Sequence, residues 1–206
     1  MHKLSPFAAF YFFDDLAEVS SAARLYGKKP LFWNRIKFRS ELRRFLESIE
    51  DRKSIVISCE SLCGVMPGYN GLFRKRVKSY VPTARVLTGI LCEELRSQFG
   101  GDVDILLLYT TRDSKPWLKS VFGHISRTKG GSENFLTFRN SFLTVPNLVE
   151  EAEKITANLT GIRIKTASLE KYTQTKYGPA MAVLEQLDLP LDVFDGLVAQ
   201  DRRNVG

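Results

Sequence analysis

The chain is poor in histidine and cysteine, with two of the first and three of the second in 206 residues. Cys59, Cys63 and Cys92 are odd in number and lack the paired spacing of a metal site, so they indicate neither a disulfide framework nor a zinc centre. Each reads as a structural thiol in a reducing compartment. Long apolar runs are also missing. No stretch approaches the roughly 20 residues that cross a bilayer, and the apolar segment Phe7 to Phe13 runs straight into Asp14 and Asp15, unlike a secretory leader. Low-complexity tracts and internal repeats do not occur, which argues against disordered, fibrous and solenoid classes. The expectation is a cytoplasmic protein without a membrane span.

What is present is ordinary in amount and uneven in charge. Hydrophobic residues at 44% and charged residues at 26% are globular values, and a chain of this length suits a single domain, 1–206, with a full core. Thirty basic against 23 acidic side chains give a net charge of +7, which favours anionic partners. The basic residues are densest at Arg74–Lys78 and at Arg202–Arg203. They are not interleaved with aromatics as in an RNA-recognition module, which weighs against nucleic acid.

The most informative stretch is GDVDILLLYTTRDSKPWLKSVFGH, Gly101 to His124. Its apolar run Ile105 to Tyr109, bounded by glycine and polar residues, predicts a buried strand. Asp113, Ser114 and Pro116, followed by Trp117, Val121 and Phe122 at helical spacing, predict that a helix starts after a tight turn. Arg112 then lies where a strand passes into a helix, the place where open α/β sheets bind ligands. Its guanidinium suits a phosphate, and Ser120, about two turns on, adds a hydroxyl. An ion pair for Arg112 and a packed face for Ser120 are the plainer alternatives.

Other elements follow the same logic. Pro6 onward, with Ser5 as N-cap and Ala8, Ala9, Leu16 and Ala17 as helix formers, predicts a largely buried N-terminal helix. Leu42, Phe45, Leu46 and Ile49 mark a helix over Ser40 to Glu50, and Ser54 to Ser58 a β-branched strand that ends at Cys59-Glu60. Glu60 therefore occupies a strand's carboxyl end, as Arg112 does. Gly64 to Gly71 and the basic Leu72 to Tyr80 read as a mobile or substrate-facing segment. Helices are expected over Pro82 to Phe99, Leu148 to Leu159 and Gly178 to Leu187, with a third strand over Ile162 to Thr166, and Phe135 to Asn147 has no clean period. Strands alternating with helices predict an α/β fold, a central parallel sheet flanked by helices.

The setting LLLYTTRDSKPWLKSVFGH, with Arg112 and then Ser120, resembles the 3′-phosphate-binding segment of sulfotransferases that use 3′-phosphoadenosine 5′-phosphosulfate. SIVISCESL resembles the strand that bacterial members carry before their acceptor site, and Ile162 to Leu189 resembles their late strand and helix. The resemblance spans about Phe32 to Leu191 in short motifs. It implies a nucleotide-binding fold related to the phosphate-loop kinases and transfer of a sulfuryl group to a hydroxyl of a carbohydrate or small molecule. It further implies that Arg112 and Ser120 hold the nucleotide's 3′-phosphate and that Glu60 acts as general base. The family's phosphosulfate loop follows a first strand and is rich in small residues around a lysine. Here its counterpart is His2 to Phe7, where Lys3 fits the lysine and Ser5 one hydroxyl, with no glycine and with Pro6 lacking an amide hydrogen. This departure leaves two alternatives to catalysis by a complete chain: a start further upstream, or a non-catalytic relative that binds a nucleotide, glycan or protein.

Overall fold

Ala8–Tyr11 is the first strand (β1), buried along its whole length and paired in parallel with Ser54–Ile57 (β2), from Ala8 opposite Ser54 to Tyr11 opposite Ile57. The computed structural model describes residues 8–12, 14–49, 52–129 and 133–187. The helix expected from Pro6 is thus corrected over Ala8–Tyr11: a run buried on all sides carries no period that separates strand from helix. Pairing with a distant strand satisfies its backbone, and the helix begins only at Ala17.

Between β1 and β2 lie two helices, α1 (Ala17–Lys28) and α2 (Phe32–Ser48). The second is two turns longer at its start than its apolar spacing suggested. Its buried side, Asn34, Phe38, Leu42, Phe45 and Leu46, is the expected one, but Phe32, Trp33 and Ile36 face solvent and conceal the period. After β2 comes a 3₁₀ turn (Glu60–Cys63), then a small antiparallel loop closed by an Asn70–Arg76 bridge, and then α3 (Val81–Phe99). A second parallel pair follows: β3 (Leu106–Thr111) beside β4 (Arg163–Ser168). The chain between them forms α4 (Ser114–Lys129), α5 (Phe135–Asn140) and α6 (Leu148–Thr156). Short turns α7 (Leu169–Tyr172) and α8 (Met181–Leu184) follow β4.

The fold is therefore α/β with parallel strand pairs flanked by helices. Among the described residues the strands form two sheets of two strands, rather than one continuous sheet, and β2 and β3 are half-buried rather than enclosed on both faces. The main core joins β1 to α1, α2 and α3 through Leu16, Val19, Phe38, Leu42, Leu46, Leu87 and Ile90. A second cluster unites α4 and α5 through Trp117, Leu118, Val121, Phe138 and Phe142.

Two glycines set how the turn after β2 sits. Gly27, buried in the last turn of α1, faces Gly64 and Val65, and a Cβ there would stand 2.4 Å from the Val65 amide nitrogen. Gly64 itself has φ +91°, a conformation open to glycine. Only bare backbone on both sides allows the Glu60–Cys63 turn to lie between α1 and α3. Charge completes the packing: Glu94, buried on α3, receives the Arg43 Nε–H at 3.0 Å and pairs with Arg39 at 3.2 Å, tying α3 to α2. Arg85 donates to the Lys154 carbonyl, which occupies an otherwise open acceptor at the end of α6.

Candidate functional site

Two of the expected site residues follow strands, one in each of the two sheets. Glu60 opens the 3₁₀ turn beyond β2, and its side chain is exposed. The Ser58 N–H still bonds to the Tyr11 carbonyl at 2.9 Å, so the β1–β2 ladder holds the backbone up to two residues before it. Arg112 comes directly after β3, with Thr111 buried beneath it and the first turn of α4 above. Ser120 lies exposed on α4 rather than on its packed side, which is formed by Trp117, Leu118 and Val121.

The ion partner of Arg112 among the described residues is Glu170 of α7. Its Oε1 is 3.8 Å from the arginine Nε, beyond hydrogen-bond distance. The same carboxylate accepts the Ser168 hydroxyl at 2.8 Å and the Asp113 N–H at 3.4 Å. Slight burial pushes the Glu170 carboxyl up, but the Ser168 hydroxyl, backbone N–H groups and Arg112 outweigh it and hold it below the ordinary value. Glu170 thus joins the ends of β3 and β4 and places a negative charge beside Arg112.

Around Glu60 the structure gathers groups that sequence reasoning missed. Tyr80, at the start of α3, donates its backbone N–H to Glu151 Oε2 at 2.9 Å. Its ring lies 6.5 Å from that of Trp117. Burial raises the Tyr80 phenol well above its usual value, and the carboxylates of Glu60 and Glu151 together with Cys63 add to that rise. Burial likewise pushes the Cys63 thiol up to about 12, with Glu60, Cys59 and Glu151 acting in the same direction. Tyr109 of β3, bonded to Thr88 at 3.3 Å, is raised to about 12, again chiefly by burial. Glu60 and Glu151 therefore act on the same two neutral acids, Cys63 and Tyr80. Glu151 carried a legible signal: it sits on the apolar face of α6 with Ala152, Ile155 and Thr156, where an acidic residue is out of place unless it has a partner.

Among the described residues no hydrogen bond or ion pair joins Glu60 to Arg112 or Ser120. Lys3 and Ser5 lie outside the described residues. They precede β1 in the chain, and the turn that follows β1 carries Asp14 and Asp15 and neither glycine nor lysine. The Asp15 carboxylate accepts the Phe12 N–H at 2.8 Å, so that turn is closed by an acid. No group of three or more histidine, cysteine, aspartate or glutamate side chains among the described residues is arranged to hold a metal ion, and no described helix is long and apolar enough to cross a membrane. A shallow depression between α2 and α3 is lined by the Arg43–Glu94 pair and belongs to the packing of those helices. No protein-family model, curated protein or solved structure matches the chain.

Proposed function

We propose that the chain is a sulfotransferase-like protein that takes 3′-phosphoadenosine 5′-phosphosulfate as donor and a hydroxyl of a carbohydrate or small molecule as acceptor. The observation that carries this reading is Arg112. It follows a parallel strand directly and stands exposed in the short link before α4, the helix that carries the exposed Ser120. A guanidinium and a hydroxyl so disposed suit the 3′-phosphate of the donor. In the reaction the acceptor oxygen attacks sulfur, the bond from sulfur to the bridging phosphate oxygen breaks, and adenosine 3′,5′-bisphosphate leaves. The acceptor proton passes to a carboxylate, for which Glu60, exposed beyond β2, is the candidate. Lys3 and Ser5 are candidates for the donor's phosphosulfate on resemblance alone.

A second reading, a relative that binds nucleotide, glycan or protein without catalysis, is favoured by the acidic turn after β1, where Asp14 and Asp15 replace the donors an anion needs. Calorimetric titration with adenosine 3′,5′-bisphosphate, with ATP as control, tests the site. Selective binding that Arg112→Ala weakens at least tenfold and Ser120→Ala weakens less is the expected result. Equal affinity in parent and Arg112→Ala removes the assignment. Binding without sulfuryl transfer to any acceptor in a screen selects the second reading.

A further inference from the structure

Exposed apolar side chains occur at several places, Leu136 and Leu143 among them, but the exposed aromatic rings other than Phe12 gather on two neighbouring segments. Phe32 (70% exposed), Trp33 (65%) and Ile36 (52%) occupy the outer side of the first turns of α2, and Phe73, at 82%, stands at the tip of the loop between β2 and α3. The fold sets these two segments against each other: a Cβ on Gly71, beside that tip, would lie 3.5 Å from the carbonyl oxygen of Lys28, at the corner between α1 and α2.

The tip is also locally unfavourable. The Gly68 N–H donates to the Val77 carbonyl and the Val77 N–H to the Tyr69 carbonyl, each at 2.8 Å, Asn70 bridges Arg76, and the Lys75 N–H closes on the Leu72 carbonyl at 3.2 Å. The two central residues of this tight hairpin turn, Phe73 (φ 54°) and Arg74 (φ 58°), are the described non-glycine residues with positive φ. Such a turn is normally made by Asn-Gly, because bulky side chains are strained there. Phe-Arg at these positions costs stability and displays a phenyl ring and a guanidinium to solvent, which points to selection for contact with something outside the chain.

The charge around the patch names its partner. No aspartate or glutamate occurs from Val19 to Ser40 or from Ser61 to Cys92, the two stretches that build it. Exposed Lys28 and Lys29 flank the aromatic corner, and exposed Arg74 and Lys75 flank the tip. Two adjacent segments, with exposed aromatic rings Phe32, Trp33 and Phe73 beside exposed cationic side chains, match the interface of an anionic bilayer. There rings settle among the headgroups and lysines and arginines meet lipid phosphates. We propose that this face docks on anionic membrane surfaces, Phe32, Trp33 and Phe73 entering the headgroup layer. The proposal is independent of the nucleotide reading.

The test uses the full chain with vesicles of phosphatidylcholine alone and of phosphatidylcholine with about a third phosphatidylserine. The chain has two tryptophans, and Trp117 is buried, so a fluorescence blue shift on binding reports Trp33. The expected result is co-sedimentation and a blue shift with the anionic vesicles, weakened by salt. Trp33→Ser should lower partitioning at least tenfold. The double substitution Phe73→Asn with Arg74→Gly should do the same while holding or raising the thermal midpoint, since it restores favourable turn residues. The proposal is overturned by no binding to anionic vesicles at low salt, or by binding that both variants leave unchanged. It is equally overturned if light scattering without lipid shows a dimer that these substitutions dissociate.

Discussion

Replacing Gly27 by alanine sets two effects of opposite sign against each other at one atom. Within a helix, alanine is favoured over glycine by up to about 1 kcal/mol. At Gly27 the added methyl would meet the Val65 nitrogen at 2.4 Å, the Gly64 carbonyl carbon at 3.0 Å and the Gly64 Cα at 3.1 Å. All three are main-chain atoms, so no rotamer change relieves the contact, and α1 must part from the turn by about 1 Å to restore ordinary separation. Overpacking of this kind costs about 1–3 kcal/mol, and the rigid neighbours place this case at the upper end. The net expectation is a loss of ~2 kcal/mol, or about 4–8 °C in melting temperature for a chain of this size. Gly89, in α3, has nothing within 4 Å of its would-be Cβ, so Gly89→Ala supplies the helix effect alone and should stabilise by up to about 1 kcal/mol. Urea unfolding of both variants beside the parent is the assay. A Gly27→Ala protein as stable as Gly89→Ala would refute the close approach of α1 to the turn, and with it the account of how Glu60 is positioned.

Glu170 offers Arg112 a charge that an incoming phosphate must displace, so Glu170→Gln should tighten adenosine 3′,5′-bisphosphate binding several-fold in calorimetry. Weaker or unchanged binding would show that the carboxylate does not compete. Because Arg112, backbone N–H groups and the Ser168 hydroxyl hold the Glu170 carboxyl below its ordinary value, its contribution to stability is present above the unfolded value of about 4.3. It is lost as pH falls through the lower folded value. At alkaline pH the sign reverses. Cys63 is raised from 9.0 to about 12, so the folded state holds its proton more tightly than the unfolded chain. That stabilisation is complete below pH 9 and declines as pH rises toward 12. Urea midpoints should therefore fall above pH 9, and Cys63→Ala should flatten the decline; an unaltered slope would mean that the thiol is not desolvated.

The reading of Arg112 illustrates what short-range order can reveal. An apolar β-forming run, a break, and then Asp-Ser-Lys-Pro before helically spaced apolar residues are local signals, and strand, turn and helix follow them. The same holds for β2 and for α3, whose limits differ from expectation by a residue or so. Glu60 and Arg112 were placed at strand ends for that reason. The first turns of α2 were missed because their apolar side chains face outward, and the strand at Ala8 because its fate depends on a partner strand beyond two helices.

What the sequence determined by itself was the local grammar of β2, α3, β3 and the start of α4, and that an acidic and a basic residue, Glu60 and Arg112, stand at strand ends. Tertiary structure alone decided who meets whom. Glu151 reaches the Tyr80 amide across 71 residues, and Glu170 reaches the Asp113 amide across 57. It also decided that Gly27 must stay bare for Val65, and that Phe73 rises beside the α1–α2 corner. Hydrogen bonds and apolar spacing along a segment act over a few residues and leave a pattern to be read. Pairing of distant segments is set by the joint packing of the whole chain, and no spacing within either segment encodes it.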